Sequence, residues 1–436
     1  MSDSLIIVGG GLAGSEAAWQ AASRGVRVAL YEMRPHKLTE THQTGLLGEL
    51  VCSNSLRSND PQSAPGLLKK ELSMAGSLIM EAAETATVPA GSALAVDRTV
   101  FAEFITQRLD NHPYIEVIRE EMTEIPDRLT ILATGPLTSE AMTKKLSGIV
   151  GSDYLYFYDA IAPIIDSESI DYEKVYRMSR YGKGGDDYIN CPMTKEDYEQ
   201  FYAALTEADR VTPRNFEENR VFEGCMPIEV MAVRGVDTPR FGPMKPVGLP
   251  DPRTGRDPYA VVQLRAENRE LTAYNLVGFQ TRLKWPEQKK VFSMIPGLEK
   301  AEFLRYGSLH RNTFINAPLA LNKDLSLRAR PDLFVAGQVT GVEGYIESTA
   351  MGLIAGINAA SRITGRRAED VPPSSAHGAL IRHLIETESK NFQPSNINFG
   401  LFPVPENALK IRDKKARRAL IVEKALTGWE QYLKGI

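Results

Sequence analysis

Cysteine is scarce in this chain. Cys52, Cys191 and Cys225 are the only three, and no two are spaced as a Cys-x-x-Cys pair. That usage argues against a zinc site or a disulfide scaffold and fits a reducing, cytoplasmic setting. A surplus of positive charge is also missing. The formal net charge is −4, so any nucleic-acid footprint has to be local. No apolar run approaches the roughly 20 residues needed to span a membrane. The N-terminal stretch MSDSLIIVGGGLAG has no basic n-region and runs straight into glycines. It reads as a buried strand, not as a signal peptide. Internal repeats and low-complexity tracts are absent. What is present is 43% hydrophobic residues over 436 positions, enough for a large core and too long for one ordinary domain.

Hydrophobic patterning gives the organisation. Leu5–Val8 reads as a strand, Leu12–Ser23 as a helix and Val26–Tyr31 as a second strand, which together form a βαβ unit. Met33 to Pro65 is polar and reads as a long loop, a feature that is usually functional or disordered. Helical spacing follows from Gly66 to Glu84 and from Thr99 to Leu109, and Leu129–Leu132 reads as a buried strand before Gly135. From Gly151 to Pro318 the texture changes to Tyr, Pro, Gly and short alternating runs such as Tyr259–Leu264. This predicts an inserted α+β domain over 151–318, with 1–150 and 319–436 forming a discontinuous nucleotide-binding domain. Leu333–Ala336 returns to a buried strand, Ser348–Ser361 reads as a small-residue helix, and a charged helix runs from Leu409 to Leu433.

The chemistry starts at Gly9-Gly10-Gly11-Leu12-Ala13-Gly14, a G-x-G-x-x-G turn between a strand and a helix. The first glycine permits the turn, the second lets backbone approach a pyrophosphate, and the third lets helix and strand pack closely. The helix N-terminus then offers N–H groups and a positive dipole end to phosphates. Glu32, at the end of the second strand, is placed to accept hydrogen bonds from ribose hydroxyls, which disfavours a 2′-phosphate and hence NADP as the tightly held nucleotide. At the far end of the chain, Gly337-Gln338-Val339-Thr340-Gly341 follows a strand and precedes Ala350-Met351-Gly352. This resembles the second flavin-contacting segment of glutathione-reductase-like FAD proteins. The fold expected is therefore an α/β FAD-binding Rossmann domain of that kind, with Gly135, Gly337, Gln338 and Gly352 added to the cofactor site.

Further segments resemble one family. These are Glu49-Leu50-Val51-Cys52-Ser53-Asn54-Ser55-Leu56-Arg57, Glu223-Gly224-Cys225-Met226-Pro227, Met244-Lys245-Pro246-Val247-Gly248-Leu249, Tyr259 to Arg265, Val277 to Thr281 and His310 to Phe314. They are similar to the folate- and FAD-dependent tRNA uracil-5 methyltransferases, the TrmFO family, over essentially the whole chain. The resemblance implies transfer of a methylene carbon from 5,10-methylenetetrahydrofolate to C5 of the T-loop uridine of tRNA. Reduced flavin would carry the carbon, and NAD(P)H would serve as reductant. Uracil C5 is a poor nucleophile until a thiolate adds at C6, and thiolates are the competent form. With the resemblance, Cys225 in its tight Gly-Cys-Met-Pro context is expected as the C6 nucleophile. Cys52, at the end of the polar loop, is expected as a second thiol acting as base or adduct partner. A lone cysteine is more often a small buried hydrophobe, and Cys191 is read that way.

Two local basic stretches are candidates for phosphate contact. One contains Lys284 and Trp285, an aromatic among cations suited to stacking on unpaired bases. The other carries Lys414, Lys415, Arg417 and Arg418. A solvated helix face is the plain alternative for each. A T-loop uridine must be unstacked to reach a flavin. The competing functional classes are a related flavin-dependent tRNA uridine-modifying enzyme of the longer GidA/MnmG type, a generic FAD oxidoreductase, and a non-catalytic RNA-binding flavoprotein. Metal and membrane partners are not expected, and oligomeric state is open.

Overall fold

The computed structural model describes residues 4–39, 41–151, 154–160, 162–211, 226–366, 369–403, 411 and 413–436. Cys225 lies outside the described residues.

Leu5–Val8 is fully buried along its length, as an all-apolar LIIV run must be when a sheet is covered on both faces. It is the middle strand of a five-stranded parallel sheet. Val28–Tyr31 and then Ile115–Ile118 lie on one side, and Thr130–Leu132 and then Leu333–Val335 on the other. Strands from both ends of the chain thus share one sheet, so their C-terminal ends and the turns after them meet at one edge. Helix Leu12–Ala22 packs against the long helix Tyr345–Thr364. The contact is backbone to backbone: a Cβ on Gly352 would lie 2.2 Å from the Ala13 carbonyl oxygen, and one on Gly356 would lie 2.6 Å from that of Ala17. Small residues in the sequence pattern serve this close crossing.

A second sheet has six strands in the order Tyr176–Arg177, Tyr188–Met193, Ala260–Ala266, Ala273–Leu276, Ile164–Asp166 and Phe303–Arg305, with every neighbouring pair antiparallel. Its core is separate and mostly aliphatic, with an aromatic cluster inside it. Phe279 contacts Phe201 at 6.2 Å and Phe292 at 5.7 Å between ring centroids. Helices Lys195–Glu207 and Trp285–Phe292 bring Phe201 and Phe292 to it. Strands Tyr154–Ala160 and Leu309–Ile315 pair antiparallel at the two places where the chain passes between the cores. The architecture is α/β of the Rossmann type, with an inserted α+β unit.

Two segments differ from expectation. The run from Gly66 to Glu84 is two helices, Ala64–Met74 and Leu78–Thr85, because the chain breaks at Ala75 and Gly76, with Gly76 at φ +69°. The polar stretch from Met33 to Pro65 is pinned rather than slack. Arg34, whose side chain is 2% exposed, bonds both Glu32 and Glu49. Glu49 in turn accepts from the backbone N–H groups of Gln43 and Thr44. The same stretch contains strand Ser55–Ser58, which pairs with Ala93–Val96 in a small three-stranded sheet.

At the other end, helix Lys414–Gly435 docks through Trp429. Its ring is fully buried and stacks on His377 at 4.2 Å, and its Nε1 donates to the Glu71 carbonyl oxygen. No helix among the described residues is long and apolar enough to cross a membrane.

Candidate active site

A groove with about 1020 Å³ of empty space lies along the edge where the parallel strands end. Gly9, Gly11, Leu12, Ala13, Glu32, Gly135, Gly337 and Gln338 all line it. The glycines divide by task. Gly9 has φ +104°, and a Cβ there would sit 2.5 Å from the Ala133 carbonyl oxygen. A Cβ on Gly14 would sit 1.8 Å from the Gly9 carbonyl oxygen, so this glycine allows the close approach of helix and turn. Gly11 is different: a Cβ there would meet nothing within 4 Å, because it points into the groove. Gly10 lies behind the lining, against Leu47 and Glu32. Gly352, expected at the cofactor, is instead at the helix crossing on Ala13 and is not among the groove-lining residues. A small residue in a helix after a glycine turn has the same sequence signature in both roles.

Glu32 reaches the groove with its carboxylate already engaged. Gly10 N–H donates to Oε2 at 2.8 Å, and Arg34 donates through its backbone N, Nε and Nη2 at 2.9–3.0 Å. Burial alone would raise this carboxyl; the Arg34 hydrogen bonds and charge outweigh burial and hold it below the usual carboxylate range. A ribose hydroxyl bonding here would have to share one of these acceptor sites. His42 also lines the groove. Burial, with Arg34 adding to it, lowers its pKa to about 4, so the ring is neutral at pH 7.

Cys52 is half-buried beside the groove, next to the lining residue Val51. Its backbone is clamped from both sides. The Tyr345 hydroxyl oxygen accepts from Cys52 N–H at 2.8 Å and from Ser53 N–H at 3.1 Å. Arg98 donates to the carbonyl oxygens of Leu50 (2.6 Å) and Cys52 (3.2 Å), and its Nε pairs with Glu267 at 2.7 Å. Burial, then the nearby Cys52, pushes the Tyr345 hydroxyl pKa upward, so it stays protonated. The fully buried Asn54 ties this loop to the insert: its Nδ2 donates to the Ala266 carbonyl oxygen, and its Oδ1 accepts from Arg265. Sequence reasoning misses Tyr345, Arg98 and Arg265. None has a local signal, because each is brought to the loop from far along the chain.

Cys191 is fully buried in strand Tyr188–Met193, opposite Val262, and burial pushes its thiol well above the ordinary range. It is a packed hydrophobe. Among the described residues, no group of three or more His, Cys, Asp or Glu could hold a metal ion. Lys284 is exposed and pairs with Asp209 at 3.0 Å. Trp285 is 63% exposed. Lys414, Lys415, Arg417 and Arg418 occupy the first turns of the C-terminal helix, whose dipole end is positive. Cations placed there oppose the helix locally and would favour an anion. Arg418 lies over the Phe399 ring at 5.3 Å. Ile397, two residues before Phe399, donates its N–H to Glu347, on the same helix as Tyr345.

A glycine turn at the central strand and a second one after the outer strand, both opening on one groove, define a dinucleotide-binding protein of the two-segment flavin type. The family model "Glucose inhibited division protein A" matches residues 4–367. The methylenetetrahydrofolate--tRNA-(uracil-5-)-methyltransferase TrmFO of Desulfotalea psychrophila is 57% identical over 430 residues, covering 98% of this chain and 97% of its own. The protein of the same name from Geobacter sulfurreducens is 56% identical over 435 residues and 99% of both chains. Among solved structures, Aquifex aeolicus GidA in its form II crystal superposes with a TM-score of 0.70 at 16% identity, over 99% of this chain and 74% of that one, a likeness of fold. The chain belongs to the GidA family and, within it, to TrmFO.

Proposed function

We infer that this chain is a methylenetetrahydrofolate- and FAD-dependent tRNA (uracil-5-)-methyltransferase. Its target is the T-loop uridine, NAD(P)H is its reductant, and it works in the cytoplasm. The observation that carries this is a cysteine loop clamped at the end of a flavin-type groove, in a chain 57% identical to TrmFO.

The groove's residues fit FAD. Gly11 leaves open space where a pyrophosphate would lie, the helix that follows presents its N–H groups there, and Gly135 and Gly337 keep backbone free of side chains along the wall. When bound, FAD supplies the redox-active ring that carries the one-carbon unit to the base. The protein's own work is different. Arg98 and Tyr345 fix the backbone around Cys52 so that its thiol has a defined position. Cys225 is the residue we assign to attack at C6 of uracil, which makes C5 an enolate carbon able to form a bond to the methylene. Loss of the C5 proton to Cys52 would release the methylene from its carrier, a hydride drawn ultimately from NAD(P)H would reduce it to methyl, and the C6 thiolate would leave as the uracil double bond is restored. Tyr345, held protonated, donates no charge to the site.

We divide the chain into an FAD-binding part, residues 1–150 and 319–436, and an insert, residues 151–318. The insert with Lys284 and Trp285, and the C-terminal helix with Lys414, Lys415, Arg417 and Arg418, form the RNA-facing surface. The test is incubation with unmodified tRNA, methylenetetrahydrofolate and NAD(P)H, followed by nucleoside analysis. 5-Methyluridine that needs the folate supports the reading; methylation from S-adenosylmethionine without folate would sink it.

A further inference from the structure

A single exposed aromatic side chain is ordinary on a protein surface. Trp285, at the first position of helix Trp285–Phe292, is 63% exposed, yet it does not lie loose. Its indole stacks on Tyr306 at 5.5 Å and 14° between planes, and Tyr306 stacks on Phe303 at 5.0 Å and 9°. Three rings thus form one nearly parallel column. The inner rings hold the indole, so its outward face is fixed before any partner arrives. Lys284 and Lys289 stand exposed beside it, on the helix and its cap.

The column's foot leads to the groove. Phe303 and Arg305 belong to one edge strand, with Tyr306 next along the chain. Arg305 reaches the Thr41 carbonyl oxygen at 3.5 Å, beside the groove-lining His42. A flat, pre-oriented π-face with lysines at its rim, backed by Tyr306 next in the chain to Arg305, matches an unpaired nucleobase attached to a phosphate backbone.

We propose that the Trp285–Tyr306–Phe303 column is a stacking platform for an unpaired base of the RNA substrate that flanks the target uridine. This rests on the functional reading above. The occupant is a base rather than a protein side chain because the ring is flat, open on one face and flanked by lysines, which suits stacking with charge neutralisation at the edge.

The test compares full-length, FAD-loaded wild type with Trp285→Ala and Trp285→Phe, using an unmodified tRNA transcript over a series of salt concentrations. A base–aromatic stack contributes roughly 1–3 kcal/mol, so Trp285→Ala should weaken binding about 5- to 150-fold. Its salt slope should stay that of the wild type, since stacking neutralises no phosphate. Trp285→Phe should keep most of the affinity. FAD content should be the same in all three, which controls for folding. Lys289→Ala should instead reduce the log–log salt slope by roughly 0.7–0.9. Unchanged affinity in Trp285→Ala, or equal loss in the Ala and Phe variants, would overturn the platform. If the wild type methylates tRNA while Trp285→Ala is unaffected, the platform alone fails. If the wild type neither binds nor methylates tRNA, the functional reading fails and takes the platform with it.

Discussion

Two glycines that look alike in sequence should fail in opposite ways when substituted. Gly11 is the N-cap of helix Leu12–Ala22, with φ −74° and ψ −169°, a conformation open to any residue. No side chain caps the helix there, and a Cβ meets nothing within 4 Å. Gly11→Val should therefore leave the apo fold nearly as stable as wild type, with a cost of at most about 1 kcal/mol for a poorer N-cap. Its isopropyl group fills the space reserved for the pyrophosphate, so purified protein should be colourless.

Gly352 is the reverse case. A Cβ there would sit 2.2 Å from the Ala13 carbonyl oxygen and 2.7 Å from Ala13 Cα. Ordinary carbon contacts lie near roughly 3.5–4.0 Å, so the two helices would have to part by about 1 Å. Overpacking of this kind costs about 1–3 kcal/mol. Adding Gly356→Ala, whose Cβ would sit 2.6 Å from the Ala17 carbonyl oxygen, should compound the loss. The assay is a denaturant melt of the FAD-free proteins, paired with the visible flavin absorbance of the proteins as purified. Stoichiometric FAD in Gly11→Val would remove that residue from the site. A Gly352→Ala melt matching wild type would refute the backbone contact between the two helices.

Cys225→Ala should retain FAD and NAD(P)H-driven flavin reduction but lose 5-methyluridine, and it should not be trapped by tRNA carrying 5-fluorouridine at the target. Fluorine replaces the C5 proton, so the wild-type thioether cannot eliminate. If Cys225→Ala is trapped and Cys52→Ala is not, the two thiols are assigned the wrong way round; Cys191→Ala should behave as wild type. Replacing Lys414, Lys415, Arg417 and Arg418 with Ala should weaken tRNA binding and flatten its salt dependence, by roughly 0.7–0.9 in log–log slope for each phosphate no longer neutralised, with FAD content unchanged. An unchanged slope would make this a solvated helix face. Burial raises the Glu16 carboxyl from 4.5 to about 7, despite hydrogen bonds from Gln20, Ser77 and Ile79. Its contribution to stability is present below pH 4.5 and is lost as the pH rises through 7, about 3 kcal/mol by linkage. Glu16→Gln should remove that slope, and a pH–stability profile identical to wild type would show that the carboxyl is not strained.

Local pattern was enough to establish the frame. The turn at Gly9 to Gly14, the apolar runs at Leu5–Val8 and Leu333–Val335 and the acid at Glu32 can each be read within a few residues. Backbone sterics and burial on both sheet faces impose them wherever they occur. The packed role of Cys191 was legible on different grounds, because a lone cysteine is more often a small buried hydrophobe. The remaining features depend on how distant elements pack. Whether Gly352 faces a ligand or a neighbouring helix depends on the crossing with Ala13, which no spacing encodes. The partners that hold the Cys52 loop come from 46 residues away in Arg98 and 293 residues away in Tyr345. Trp285 is oriented by Tyr306 and Phe303 from another element. Periodicity reports which face of an element is buried, but not which side chain of a distant element will meet it. That is set when the helices and sheets pack, and it is there that the groove, the clamped cysteine and the aromatic column come into being.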